Sequence, residues 1–339
     1  MQFLLSDVFG YEIEVSAGDR LVLIGVLAVL GAVLGSFMNV VIYRLPRRMS
    51  LSHPGSRCPK CEHPIRWHDN VPVVGWLILR GRCRDCGAPI APRYPLVEAL
   101  VAVVGGLLAW KAPLLVVTTA AGDDFNLYAV DVAWIAFHLL LACVLICAAL
   151  IEFDGFVPPK WLIGAPLLVG LAVLIAWPHL QPGEGDGALA GLPIGGLRAG
   201  IVGMLTALAL GAGPWLTWYA NTRQSGFAYA TRALGELVLV GGFLGHHAVV
   251  SIGLESMVLY VATQLLSRKW PAAGRFGWAG PLTLVTLVWT LAGPDVVLLN
   301  PRLSQDFRIR LIVAGSLMII LAVVLQIVPS PRQQPTRPE

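Results

Sequence analysis

Four cysteines in the first third of the chain have the spacing of a metal site. They form two C-x-x-C pairs, Cys58 with Cys61 and Cys83 with Cys86. Each pair can hold two thiolates against one ion, and two pairs complete the tetrahedral sulfur shell that structural zinc prefers. A pair of disulfides is the alternative, and a reducing compartment argues against it. We therefore expect a closed zinc site that stabilises a small domain and leaves no coordination position for catalysis.

Three carboxylates stand where apolar runs begin or end. Glu152 and Asp154 follow one such run, and Glu236 lies near the start of another. An ionisable group is costly at such positions in a membrane, so a functional role is the default hypothesis. Two alternatives remain open: Glu152 could be an interfacial acid that reaches water, and the positive end of a helix could stabilise Glu236 without chemistry. Residues two apart on a helix point about 200° apart, so Glu152 and Asp154 cannot face one partner.

The composition indicates that the elements carrying these residues lie in a membrane. Of 339 residues, 56% are hydrophobic and 13% are charged, whereas about 25% are charged in soluble domains. This excludes a water-soluble globule. The net charge of +4 is concentrated in loops, and we take it as a sign of membrane orientation rather than of nucleic-acid binding.

The predicted fold class is all-α: a polytopic integral membrane protein with a small cytoplasmic insertion that binds zinc through four cysteines. Apolar runs of the roughly 20 residues that cross a bilayer predict eight or nine transmembrane helices. These lie near residues 21–43, 95–118, 128–151, 161–177, 191–218, 234–250, 252–267, 278–293 and 310–329. The region 234–267 is ambiguous because only residues 250–252 separate its two runs. Glycine-rich segments at 195–213 and 235–245 suit close helix packing in lipid.

Lysine and arginine set the predicted orientation. Between residues 44 and 93 there are ten of them against three acids, so the positive-inside rule places this segment in the cytoplasm. The N-terminus is then outside. Alternate threading from there puts Glu152, Asp154 and Glu236 at the cytoplasmic face.

Several motifs resemble a known family, the type IV prepilin peptidases, in that family's order. They are GSFMNVVIYRLP at residues 35–46, then the two cysteine pairs, then RYPLVEAL at residues 93–100. The family consists of integral-membrane aspartic proteases that are also N-methyltransferases. The resemblance implies a first transmembrane helix at 1–43, a cytoplasmic zinc-knuckle, N-methyltransferase-like domain at 44–94, a membrane aspartic-peptidase-like domain at 95–330 and a disordered tail at 331–339.

The resemblance also marks two catalytic positions, and both carry glutamate where the family has aspartate. Segment 151–160 is similar to the pattern around the first aspartate and places Glu152 there, with Asp154 as the alternative acid. Segment 233–236 is similar to the family's G-x-G-D motif and places Glu236 at its aspartate. In an aspartic protease two carboxylates share one proton across a water. Glutamate has the same chemistry, but a displacement of about 1 Å can cost on the order of 100-fold in rate.

The function that the resemblance implies is cleavage of leader peptides at the cytoplasmic face of a bacterial inner membrane. The substrates are pilin-like or pseudopilin proteins with a basic leader and an apolar helix. N-methylation of the new N-terminus from S-adenosylmethionine is also implied. The chain has no glycine-rich nucleotide fingerprint, and the polar residues that the resemblance marks in the methyltransferase region are Asn39, Arg44 and Glu98.

Two other functions compete with this one. A catalytically impaired homologue could serve as a scaffold that binds pilin-like helices or assembly partners. A transporter that uses Glu236 as a proton carrier is disfavoured, because the sequence has no internal repeat or inverted symmetry.

Overall fold

The computed structural model describes residues 17–112, 116–117, 126–127, 129–177, 180, 194–221, 225–267 and 277–292. Within these ranges the chain is helical apart from turns, the largely irregular insertion at 45–92 and one small strand pair. The predicted span at 310–329 and the predicted tail at 331–339 lie outside the described residues.

The elements follow the apolar runs of the sequence. In chain order the helices are α1 (Ala17–Arg44), a 3-10 turn (Trp67–Asn70), α2 (Val74–Ile78), α3 (Arg93–Lys111), α4 (Ala129–Phe153), α5 (Lys160–Ala176), α6 (Ile194–Asn221), α7 (Ser225–Leu266) and α8 (Ala279–Ala292). Two short strands, β1 (Val116–Val117) and β2 (Asn126–Leu127), pair antiparallel between α3 and α4. The predicted span at 95–118 therefore ends earlier than its apolar run, at Lys111.

Helix length and composition confirm the all-α membrane class. Among the described residues, four helical segments are long and apolar enough to cross a membrane: Arg20–Arg44, Arg93–Lys111, Val132–Phe153 and Ala248–Leu266. Three shorter apolar helical segments accompany them: Lys160–Ala176, Leu197–Gly211 and Ala279–Leu291. The protein is thus a multi-pass membrane protein.

Glycines bring neighbouring helices into backbone contact, as the glycine-rich segments predict. On α6 and α7, an added Cβ at Gly203 would overlap the carbonyl of Gly241, and one at Gly241 would overlap the carbonyl of Gly203. The same holds between α1 and α3, where Gly31 lies against the carbonyl of Val101. In lipid, helix association depends on such close packing because there is no hydrophobic driving force between helices.

The ambiguous region 234–267 lies, up to Leu266, in the single helical element α7, which breaks at Gly245. This residue has φ 80° and ψ −179°, a conformation that is almost exclusive to glycine. The break lies before residues 250–252, where the apolar pattern suggested a boundary. Those three residues have ordinary side chains and no helix-breaking type, so the helix continues through them.

The buried core draws side chains from all the long helices, and α4 packs against both α7 and α8 within it. The ring of Phe137 on α4 stacks on that of Phe243 on α7 at 4.3 Å between centroids. The hydroxyl of Thr283 on α8 donates to the carbonyl of Leu145 on α4 at 3.0 Å. This packing sets how the end of α4 approaches the start of α8 and the middle of α7.

Candidate functional site

The structure brings the sulfur atoms of the four cysteines in the insertion together. All four Sγ atoms lie within 4.8 Å of one another. The Sγ atoms of Cys58 and Cys86 are 3.8 Å apart, and those of Cys61 and Cys83 are 3.9 Å apart. A tetrahedron with Zn–S bonds of about 2.3 Å has edges of about 3.8 Å, whereas a disulfide bond is about 2.05 Å long. The cluster therefore fits one tetrahedral metal ion and not a pair of disulfides.

Two similar backbone turns hold the cysteine pairs. In the first turn the amide of Cys58 donates to His63 at 3.0 Å, and in the second the amide of Cys83 donates to Ala88 at 2.8 Å. Short antiparallel bridges close both turns, Arg57 with Pro64 and Arg82 with Pro89. Each turn aims two thiols inward, so the metal ion would join the two turns, whose parts of the insertion are also linked by the ion pairs of Arg66 with Asp85 and of Arg84 with Asp69.

The thiols of the cluster differ in how readily they ionise. Burial raises the pKa of Cys58, but hydrogen bonds from the amides of Cys61 and Lys60 outweigh this and lower the pKa to about 7. The amide of His63 favours the thiolate of Cys61, yet burial and the neighbouring sulfurs raise its pKa to about 12. One negative sulfur thus opposes ionisation of the next, and a cation at the centre is what can hold all four as thiolates.

Glu152 lies in the last turn of α4 and points at the start of α8. Its side chain is buried, and Oε2 accepts a hydrogen bond from the amide of Ala279 at 3.1 Å. The amide of Trp278 donates to the same carboxyl group. A helix N-terminus presents unpaired N–H groups and a positive dipole end, which is a favourable place for a carboxylate. The start of α8 thus fixes the position of the Glu152 carboxyl.

Gly277 leaves the room that this carboxyl occupies. An added Cβ at position 277 would overlap Oε2 of Glu152. The backbone there has φ 54°, which is also unfavourable for a residue with a side chain. The turn at Gly277 and Trp278 therefore meets the first of the two glutamates directly.

Glu236 lies on α7 and is fully enclosed. Its exposed fraction is 0%, and neither carboxyl oxygen has a hydrogen-bond partner among the residues that the structure describes. It interacts electrostatically with Glu152 and with Arg232, which lies one turn earlier on α7. Arg232 also interacts electrostatically with Glu152. The tertiary packing therefore brings two carboxyl groups and one guanidinium into one buried region.

Asp154 faces a different partner from Glu152, as its position along the helix end predicts. Its Oδ1 lies 2.5 Å from Nη1 of Arg93, the first residue of α3, and both side chains are buried. Arg47, just after α1, lies over the ring of Phe156 with 4.4 Å to the centroid. Two arginines of the N-terminal part of the chain thus hold the segment that follows Glu152.

Breaking the Arg93–Asp154 pair is expected to destabilise the protein. Removing one partner leaves the other charge in a buried setting, which costs about 3–5 kcal/mol in comparable pairs. We expect Arg93→Met and Asp154→Asn each to lower the thermal midpoint in detergent, and the double variant to lose little more than either single one. The exposed pair Arg66–Asp85 is the matched control, and its own Met and Asn variants should show little coupling. Additive losses at Arg93 and Asp154 would refute the interaction.

The three polar residues marked in the methyltransferase region all make contacts near the insertion. The side-chain amide of Asn39 donates to the carbonyl of Tyr94 at 3.0 Å, which joins α1 to α3. Oε2 of Glu98 accepts from the amide of Val73 at 2.7 Å. Arg44 donates to the carbonyl of Ser50 at 3.0 Å. These contacts tie the insertion to the two helices that flank it.

Two residues of the site have no functional role in the sequence analysis, Arg232 and Arg93. Arg232 precedes Glu236 by one helical turn, and this i, i+4 spacing is a signal that the sequence does contain. Arg93 entered as one of ten basic residues that set the orientation and as the first residue of the RYPLVEAL motif. Its pairing with Asp154 carries no sequence signal, because 61 residues separate the two.

Comparison with known proteins gives consistent matches. Residues 29–112 match the family model of the bacterial peptidase A24 N-terminal domain. The prepilin leader peptidase/N-methyltransferase of Myxococcus xanthus is 30% identical over 281 residues, which cover 80% of this chain and 73% of the relative.

Two further relatives match shorter parts of the chain. The type 4 prepilin-like proteins leader peptide-processing enzyme of Escherichia coli is 34% identical over 206 residues, 53% of this chain and 70% of the relative. The prepilin leader peptidase/N-methyltransferase of Klebsiella pneumoniae is 50% identical over 95 residues, 25% of this chain and 42% of the relative. No solved structure matches the chain.

Proposed function

Because this chain belongs to the prepilin leader peptidase/N-methyltransferase family, we propose that it removes the leader peptides of type IV pilin-like proteins and methylates the new N-terminal amine. The observation that carries the peptidase part is the meeting of Glu152 and Glu236. Both are buried, they come from different helices, and they interact electrostatically. A pair of carboxyl groups in a buried site has the chemistry of an aspartic-type peptidase.

Each glutamate has its own role in the proposed reaction. Glu152, whose Oε2 accepts backbone N–H groups at the start of α8, takes the proton from the attacking water. Glu236 donates its proton to the oxygen of the scissile carbonyl. The water oxygen bonds to the carbonyl carbon and forms a tetrahedral gem-diol. On its collapse Glu152 passes its proton to the leaving amine, a hydroxyl of the gem-diol returns a proton to Glu236, and the C–N bond breaks to leave a carboxylic acid. The oxygens of Glu236 are buried without a partner among the described residues, so a water or a peptide carbonyl suits them.

Arg232 balances the charge of this pair. Two carboxyl groups that share one proton carry one negative charge, and a net charge is expensive to bury. Arg232 interacts electrostatically with both glutamates, so its positive charge brings the site to neutrality. We propose that it keeps the pair in the singly protonated form and takes no part in bond breaking.

The positive-inside rule gives the proposed orientation of the protein in the membrane, and the substrate is consistent with it. The insertion with its ten lysines and arginines lies in the cytoplasm, and the N-terminus lies outside. The end of α4 and the carboxyl pair then sit at the cytoplasmic face of the bacterial inner membrane. A pilin-like substrate has a basic leader next to an apolar helix, and this face offers buried acids beside lipid-exposed helices.

We propose that the ion held by the cysteine cluster is zinc and that its role is structural. Four thiolates fill a tetrahedral zinc shell and leave no open position. Zinc supplies the cross-link between the two turns at Cys58 and Cys83, and it takes no part in either reaction.

Methyl transfer is proposed for the N-terminal part of the chain, which matches the A24 N-terminal domain at residues 29–112. S-adenosylmethionine is the methyl donor that we propose. We assign none of the described residues to its binding. Transfer of a radiolabelled methyl group to cleaved pilin tests this activity separately from cleavage.

The peptidase proposal is tested by co-expression with a pilin-like substrate. We expect the substrate to lose its leader, seen as a mass decrease that equals the leader, only in cells that carry the protein. Intact substrate in the presence of correctly inserted, metal-loaded protein would instead support a scaffold that binds pilin-like helices without cleaving them.

The contact between Gly277 and Glu152 gives a further expected result. Gly277→Ala should lower the rate of leader removal by about 100-fold, because the new Cβ displaces the Glu152 carboxyl by about 1 Å. Glu152→Asp withdraws the carboxyl from that space, so the added methyl group should cost less activity in the Glu152→Asp background.

Gly164→Ala on α5 is the control for this pair of variants. An added Cβ meets nothing within 4 Å there, and alanine is a better helix former than glycine. Its activity should equal that of the unmodified protein. Equal losses from Gly277→Ala in both backgrounds would mean that the substitution acts through backbone strain at φ 54° and not through Glu152.

A further inference from the structure

The insertion exposes large apolar side chains around its short helix α2. Trp67 is 83% exposed, Ile78 67% and Leu77 59%, and Val74 is nearly half exposed. These residues belong to the cysteine-bearing insertion and not to the long membrane helices. A contiguous exposed apolar surface on a folded domain marks a contact with lipid or with another protein.

A hydrogen bond between α3 and the residue before α2 fixes the depth of α2 relative to the bilayer. Glu98 on α3 accepts from the amide of Val73, which directly precedes α2. Glu98 is five residues past Arg93, the start of α3, and this corresponds to about 8 Å along the helix axis. The start of α2 therefore lies beside the body of α3 and not beyond its end.

The length of α3 places Glu98 and the start of α2 inside the bilayer. α3 has 19 residues, which is about 28 Å of helix, and the hydrocarbon core is about 30 Å thick. A helix of this length lies almost entirely within the hydrocarbon core. Glu98 and the amide of Val73 thus lie below the headgroup boundary, where each polar group must find its partner within the protein.

The packing of α1 against α3 independently places Glu98 at the same depth in the bilayer. Gly35 packs against Glu98, since an added Cβ at Gly35 would lie 2.7 Å from the Cα atom of Glu98. α1 continues for nine more residues to Arg44, or about 13 Å. Its basic end can therefore reach the headgroups while the Gly35–Glu98 level stays within the leaflet.

Two exposed arginines follow the apolar residues of α2 in the sequence. Arg80 comes immediately after α2 and Leu79, and Arg82 comes two residues later; both are exposed. Basic side chains beside an interfacial apolar segment are attracted to anionic lipid headgroups, and their long stems reach from the apolar region to the phosphates. A pilin-like helix could cover apolar side chains as well, but the arginines match lipid phosphate better than they match a substrate with a basic leader.

We propose that α2 is an interfacial helix that lies in the bilayer leaflet nearest the cysteine cluster. Val74, Leu77 and Ile78 contact the acyl chains, Arg80 contacts the lipid phosphates, and Glu98 holds the start of the helix at this depth. The insertion is then a membrane-seated domain and not a lobe free in water. This inference depends on α3 spanning the membrane and not on the peptidase mechanism.

Photo-labelling by lipid tests the proposal on the full-length protein. The protein is placed in vesicles of phosphatidylethanolamine and phosphatidylglycerol that contain a small fraction of phospholipid with a diazirine in its acyl chain. Trypsin then releases 67–80 with α2, 21–44 with α1 and 85–93 as a neighbouring segment of the insertion. We expect lipid adducts on 67–80 at a frequency per residue within about threefold of that on 21–44, and at least tenfold above that on 85–93.

Substitutions in α2 and at Glu98, which holds the start of α2, establish whether the labelling depends on the apolar side chains and on their depth. Leu77→Asp with Ile78→Asp should reduce adducts on the α2 peptide at least fivefold, while adducts on 21–44 stay unchanged. Glu98→Leu should reduce them as well, because the start of α2 is released, and Glu62→Leu on the exposed part of the insertion should not. Metal content confirms that each variant keeps its cysteine cluster.

Three results would overturn the proposal. The first is an α2 peptide labelled no more than 85–93 in the unmodified protein. The second is labelling that disappears when a pilin-like substrate is added, which would make the surface a substrate-docking site. The third is labelling that falls as protein density in the vesicles rises, which would make it a contact between two copies of the chain.

Discussion

Glu236→Gln is expected to lower the rate of leader removal by about three orders of magnitude, within the 10²–10⁴ range for loss of a general acid or base. Glutamine has nearly the same shape as glutamate but cannot exchange a proton. Because Glu236 is fully enclosed, the replacement removes the proton and the charge with little change in packing. Glu152→Gln should have a similar effect, and the double variant should be no worse than either single one, since the two groups act as a unit.

Glu98→Gln is the matched control for these variants. Glu98 is also a buried glutamate, but it lies on α3, where its Oε2 accepts from the amide of Val73 at 2.7 Å, and the side-chain oxygen of glutamine can accept the same bond. Its variant should retain leader removal within a few-fold of the unmodified protein. Activity that survives both Glu152→Gln and Glu236→Gln would eliminate the carboxylate pair, and a similar loss from Glu98→Gln would point to a general effect of removing a buried charge.

Cys58→Ser is expected to abolish metal binding and to unfold the insertion locally. Binding of structural zinc by small domains is worth about 10–16 kcal/mol in apparent free energy, more than such a small insertion can recover from its own packing. Bound zinc should fall from one ion per chain to a small fraction of that. Hydrogen exchange at the amides of Cys58 and Cys83, which close the two turns, should accelerate at least 100-fold.

Cys143→Ser provides the comparison, because Cys143 lies in α4 and outside the cluster. It should leave the zinc content and the exchange of the insertion amides unchanged. Purified protein that binds no zinc but keeps slow exchange in the insertion would contradict a structural metal. Zinc that persists in Cys58→Ser would show that a different set of residues binds it.

The length of the side chain at position 152 matters for the geometry of the site. Glu152 reaches the amide of Ala279 at 3.1 Å, and Gly277 leaves space for its carboxyl group. Aspartate at position 152 would place the carboxyl more than 1 Å short of that amide. The turn at the start of α8 thus accommodates the longer side chain at position 152, so we expect the first glutamate to be built into the site.

Local sequence patterns predicted the features that depend on neighbouring residues. Hydropathy predicted the apolar helices and the membrane class, because burial in lipid depends on each segment of about 20 residues by itself. The two C-x-x-C pairs predicted the cysteine cluster, because each turn fixes two thiols locally. The break in α7 was harder to predict from the sequence. It occurs at Gly245, where only the backbone conformation distinguishes this glycine from its helical neighbours Gly241 and Gly242.

By itself, then, the sequence determined a multi-pass helical membrane protein with a four-cysteine insertion and acids at the ends of apolar runs. Only the tertiary structure decided which acids meet. It brings Ala279 to Glu152 across 127 residues and places Glu236 near Glu152. Asp154 instead forms an ion pair with Arg93. The physical reason is that these contacts depend on how α4, α7 and α8 pack, which is set by many small van der Waals contacts between helices and has no periodic signal along the chain.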